Sequence, residues 1–168
     1  TDTNQAIIVG ARGKILKWNG AILSLIQTGA WEWFYRVAWK PDGSYALLIG
    51  DNGGLEKWNG TSLTRIVPPY WATSPQGSVT YFENIAWKPD GSYALIVGEQ
   101  GSPLQATVWK YDGNALLALY KASNSYFYTV AWKPDGSYAL IGGSQGSLYK
   151  VMEYDGVSFS AIPTGISD

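Results

Sequence analysis

Four carboxylates stand in segments that the chain's pattern draws toward one end of the molecule: Glu32, Asp51, Glu83 and Glu99. Two carboxylates at a suitable separation can serve a glycoside-processing enzyme as acid and nucleophile or base. Nothing in the sequence singles out a pair. Asp51 and Glu99 share a repeat position, but Ala11 and Ser144 do not continue it. The 168 residues include no histidine and no cysteine. The commonest general base and transition-metal ligand are therefore missing. So are disulfides, thiolate nucleophiles and thiolate metal sites. No EF-hand-like spacing of carboxylates suggests calcium, and no P-loop or dinucleotide fingerprint suggests phosphate. The expectation is no metal, no cofactor and no catalysis.

Aromatic residues are the strongest compositional signal, with 9 Trp, 12 Tyr and 4 Phe. Three segments align as GAWEWFYRVAW, SVTYFENIAW and SNSYFYTVAW. Trp33, Tyr81 and Tyr126 fall at one position, and Phe34, Phe82 and Phe127 at the next. Strand alternation sends the two sets to opposite sides, and Phe is the better core candidate. Arg12, Asn52, Gln100 and Gln145 come from loops expected at the same end as the other set. Trp31, Tyr70 and Trp71 depart from the repeat, the last two inside the Pro-rich segment VPPYWATSPQGSVT. Rings beside amide and guanidinium groups suit a sugar, a peptide or a protein partner. Packing at the strand ends accounts for them equally well.

The net charge is −1, from 12 basic and 13 acidic residues. No basic stripe exists to neutralise phosphates, so no nucleic-acid partner is expected. The apolar runs are short, such as Ala94 to Val97, so no membrane insertion is expected.

The elements that must position these residues are set by internal repeats. VAWKPDGSYALLIG begins at Val37, IAWKPDGSYALIVG at Ile85 and VAWKPDGSYALIGG at Val130. The tryptophans at 39, 87 and 132 are 48 and then 45 residues apart, and AIIVG at Ala6 is a partial fourth copy. Each copy continues through a Gly-rich loop, a run ending in KWNG, WKYDG or MEYDG, and a last short apolar run. That is four short strands per unit, the architecture of a propeller blade.

The turns have reasons. In KPDG, proline presets φ at the first central position, and the closing glycine tolerates positive φ. Asn19-Gly20, Asn59-Gly60, Asp112-Gly113 and Asp155-Gly156 read as two-residue hairpin signals. The second strand, ALLIG or ALIVG, is apolar without alternation, so it should be covered on both faces. The recurring Trp18, Trp39, Trp58, Trp87 and Trp132, with Tyr111 and Tyr154, read as structural.

The string AWKPDGSYALIVG resembles the W-S-P-D-G repeat of TolB-like and WD-repeat-like β-propellers, over essentially the whole chain. It is not an orthodox WD repeat. Gly-His and Trp-Asp dipeptides are absent, and Lys40, Lys88 and Lys133 replace the usual serine. The resemblance implies fold and leaves function open.

The expected fold is all-β. It is a propeller of about four four-stranded blades in one domain, with units near 1–32, 33–80, 81–125 and 126–168. The first blade is expected to lack its innermost strand, as in a half-ring or a fragment of a larger propeller. The functional expectation is a non-catalytic binding or assembly module for a protein partner or self-association. A carbohydrate-binding propeller and a carboxylate-dependent glycoside-processing enzyme are the alternatives.

Overall fold

The computed structural model describes residues 6–28, 33–50, 53–66, 80–101 and 103–165. These form fifteen strands in four antiparallel sheets, each sheet in sequence order. The first holds β1 (Ala6–Val9), β2 (Ile15–Trp18) and β3 (Leu23–Ile26). The second holds β4 (Phe34–Trp39), β5 (Ala46–Gly50), β6 (Leu55–Trp58) and β7 (Leu63–Arg65). The third holds β8 (Thr80–Trp87), β9 (Ala94–Gln100), β10 (Gln105–Tyr111) and β11 (Leu116–Ser123). The fourth holds β12 (Ser125–Trp132), β13 (Ala139–Gln145), β14 (Leu148–Tyr154) and β15 (Phe159–Ile162). The chain is all-β and propeller-like, with a short first blade.

The KPDG turn forms as its residues dictate. Gly43 N–H donates to the Lys40 carbonyl at 2.8 Å, with Gly43 at φ 70°, and Lys40 N–H closes the loop onto Tyr45 at 2.9 Å. Asp42 accepts from the Ser44 amide at 2.9 Å and the Ser44 hydroxyl at 2.6 Å. The Asp90 and Asp135 turns repeat this. Hydrogen bonds from Lys40, Lys88 and Lys133, then from the serines, hold the three carboxyls well below the usual range.

The Asn-Gly and Asp-Gly hairpins differ from the two-residue reading. Residues 19–22 make a four-residue loop, closed by Asn19 N–H to the Ile22 carbonyl at 3.3 Å. The Asn19 side-chain oxygen accepts from the amides of Ala21 (3.0 Å) and Ile22 (2.8 Å). Asn59, Asp112 and Asp155 do the same. The Asn or Asp side chain thus replaces a ladder bond, which lets the loop be longer.

Three apolar seams join neighbouring sheets. Ile7 and Ile15 meet Ala46 and Leu48; Leu47 and Ile49 meet Ala94 and Ile96; Leu95 and Val97 meet Ala139 and Ile141. The middle strands β5 and β9 are therefore buried on both faces, as their unbroken apolar runs require. Across two seams a tyrosine meets the next sheet's tryptophan edge-on. Tyr45–Trp87 centroids are 5.6 Å apart and Tyr93–Trp132 centroids 5.5 Å, both at 75°. Lys57 stands 4.1 Å over the Tyr45 ring and Lys110 4.3 Å over Tyr93, a favourable cation–π arrangement. Burial pushes both phenols up to about 12.

Candidate functional site

At or just before the start of the first strand of each complete sheet stand an aromatic residue and a phenylalanine, followed by a β-bulge. The register slips between Phe34 and Arg36, Phe82 and Asn84, and Phe127 and Thr129. The residue passed over is Tyr35, Glu83 or Tyr128. Bulges re-aim side chains. Here the bulge lets Phe82 and Ile85, three positions apart, enter one core cluster, and Phe127 and Val130 another. Phe34, Phe82 and Phe127 are all buried, as strand alternation suggested.

The bulge also explains the glycine four residues after the start of each complete sheet's second strand. A β-carbon on Gly50, Gly98 or Gly143 would stand 1.7, 2.0 or 1.9 Å from the carbonyl oxygen of Trp33, Tyr81 or Tyr126. The two backbones approach too closely for any side chain. That contact fixes where Trp33, Tyr81 and Tyr126 leave the sheet.

Trp33 and Tyr126 are exposed, and Tyr81 is half-buried. Tyr81 pairs across the ladder with Glu99 and Tyr126 with Ser144; Gln100 faces Thr80, and Gln145 faces Ser125. Arg12 sits in the exposed β1–β2 loop with a left-handed backbone, φ 56°. Backbone bonds tie loops to strand starts at this end: Phe34 N–H donates to Gly10 (3.1 Å) and Gly53 N–H to Thr80 (2.9 Å). Trp31, Tyr70, Trp71 and Asn52, with Glu32 and Asp51, lie outside the described residues. A cavity of about 620 Å³ opens on the outer face of the first sheet, lined by Ile8, Leu16, Leu25 and Lys14; among the described residues, Arg12 is the one expected site residue that lines it.

Alternation alone missed a second aromatic set. Tyr35 and Tyr128 are the bulged residues and both are exposed. Tyr128 lies stacked on Tyr126, with centroids 6.3 Å apart and planes 4° from parallel. The signal was present in the spacing: Phe and the following Val or Ile are three apart, which a regular strand cannot bury on one face.

Glu99 is buried beside this end. Burial pushes its carboxyl up, and the nearby Glu83 pushes it further. Among the described residues no three His, Cys, Asp or Glu side chains converge as a metal site would require.

No protein-family model and no curated protein matches the chain. Among solved structures it is similar to a protein from Lactobacillus plantarum, with a TM-score of 0.59 and 11% identity, over 94% of this chain and 53% of that one. It also matches a Kuenenia stuttgartiensis hydrazine synthase, with a TM-score of 0.45 and 13% identity, over 92% of this chain and 62% of that one. The chain thus spans about half the length of the first and under two thirds of the second.

Proposed function

We propose that this chain is a non-catalytic binding and assembly module of the TolB-like or WD-repeat-like kind, serving protein–protein contact or self-association. The observation that supports this is the repeated aromatic presentation at one end of the arc. Trp33, Tyr35, Tyr126 and Tyr128 are exposed on strand starts whose backbones are held by a bulge and a glycine contact. Large rings on rigid backbone give contact area at little entropic cost, which is why aromatics dominate binding hot spots. Glycan recognition is the second reading, favoured by the flat Tyr126–Tyr128 stack.

Two screens of the intact chain test this: selection from a random-peptide display library, and a glycan array. Peptide hits lost on Trp33→Ala or on Tyr126→Ala with Tyr128→Ala support the protein reading. Glycan hits lost on the same changes support the second. Hits that survive all these substitutions, or no hits in either screen, overturn the assignment of this end as a binding face.

A further inference from the structure

Every internal seam joins two unlike faces. The face a sheet turns to its successor carries Leu47 and Ile49, then Leu95 and Val97; the face it turns to its predecessor carries Ala46 and Leu48, Ala94 and Ile96, or Ala139 and Ile141. All ten side chains are fully buried.

The same repeat positions recur on the two outermost faces, where no sheet among the described residues covers them. On the fourth sheet Leu140 takes the place of Leu95, and Val151 takes the place of Val108. On the first sheet Ile8 takes the place of Leu48, and cross-strand register sets it beside Leu16 and Leu25. Leu140 is 39% exposed and Ile8 52%, although their counterparts are completely buried. No core cluster joins the fourth sheet to the first among the described residues. The cavity of about 620 Å³ lies in the first sheet's bare face.

The bare faces are therefore the successor half and the predecessor half of one seam, carried at opposite ends of one chain. We infer that a second copy of this chain covers them head to tail. The fourth sheet of each copy packs on the first sheet of the other, giving two identical seams related by a two-fold axis. The occupant follows from continuity with the three seams already formed, which use these positions in this order. Two arcs then close one ring of eight sheets. This rests on the assembly half of the function proposed above. By cross-strand register Tyr126 lies on the same face as Leu140, so binding at the aromatic end is read on the monomeric variants as well as on the native chain.

The test is solution mass, by sedimentation equilibrium over a wide concentration range, of the native chain and of Leu140→Glu and Ile8→Glu. The native chain is expected at twice its 18.3 kDa. Each variant alone places a charge in both seams and is expected at one chain's mass. An equal mixture of the two variants can rebuild one unspoiled seam, so two-chain mass is expected to return. Far-ultraviolet circular dichroism confirms that each variant stays folded. Because the chain has no cysteine, Leu140→Cys with Ile8→Cys provides a second reading that needs no charge: a disulfide-linked dimer under oxidation. A native chain that stays monomeric throughout, or a mixture that stays monomeric while the native chain dimerises, overturns the inference. Assemblies that grow beyond two chains overturn ring closure. Peptide or glycan binding that persists in the monomeric variants would leave the aromatic end standing whichever way the seam is decided.

Discussion

The carbonyl oxygen of Tyr81 lies 2.0 Å from where a β-carbon on residue 98 would stand, so only Gly98 fits there. A sheet bulge, a core phenylalanine and an outward aromatic residue all depend on that contact, and Gly50 with Trp33 and Gly143 with Tyr126 repeat it.

Gly98→Ala is therefore expected to destabilise the fold by about 1–3 kcal/mol, the usual cost of forcing atoms into a filled site. Chemical denaturation measures it. Gly10→Ala is the control: nothing lies within 4 Å of its would-be β-carbon, and a change within about 0.5 kcal/mol is expected.

The two tryptophans that meet a seam tyrosine should respond differently to loss of the indole N–H. Trp87 donates across the seam to the Ala38 carbonyl at 3.3 Å, whereas the Trp132 indole nitrogen is buried with no partner among the described residues. Trp87→Phe gives up a hydrogen bond worth about 0.5–1.5 kcal/mol, while Trp132→Phe removes an unsatisfied donor that costs about 1–3 kcal/mol. Thermal denaturation should show the larger loss for Trp87→Phe. Equal losses would mean that the indole N–H groups contribute alike.

Two acid–base windows should separate. Glu99 has a raised carboxyl, so the folded chain holds that proton more tightly than the unfolded chain. Its contribution favours folding below the ordinary value of 4.5 and declines as pH rises through the shifted value. Glu99→Gln should remove that decline in a melting series from pH 4 to 7, a range chosen about the ordinary carboxyl value. Asp42, Asp90 and Asp135 are shifted the other way, so their stabilisation is present above 3.8 and lost as pH falls below it. Asp90→Asn should flatten part of that acid limb and leave the Glu99 window unchanged.

The side chain that caps each long hairpin gives a local test. Asn59 accepts from the Thr61 amide at 3.0 Å and the Ser62 amide at 2.8 Å. Asn59→Ala removes both and should cost about 1 kcal/mol, by analogy with a lost helix cap. Asn59→Asp should retain most of the stability, since Asp112 and Asp155 perform the same task. Denaturant midpoints of the three chains decide it.

Strand order, turn positions and the core phenylalanines were legible in the residues because each has a local cause. Proline and glycine set the KPDG turn, Asn or Asp the hairpin loop, and period-two alternation buries Phe34, Phe82 and Phe127. The four-residue loops and the bulge were harder. A side-chain cap substitutes for ladder bonds, and a bulge changes which face a residue meets, so Tyr35 and Tyr128 escaped a strict two-residue count.

Burial was decided only by the tertiary structure. The motif AWKPDGSYAL is the same in three sheets. Trp87, between two sheets, is 8% exposed, while Trp39, facing the short first sheet, is 37% exposed. Leu47 and Leu95 are sealed, while Leu140 at the same position is open. Identical residues meet different solvent because burial belongs to the neighbouring sheet and not to the strand itself. The sequence by itself determined each four-stranded unit through short-range turn chemistry and alternation. Only the stacking of one unit on the next decided which faces became core and which were left bare at the two ends of the arc.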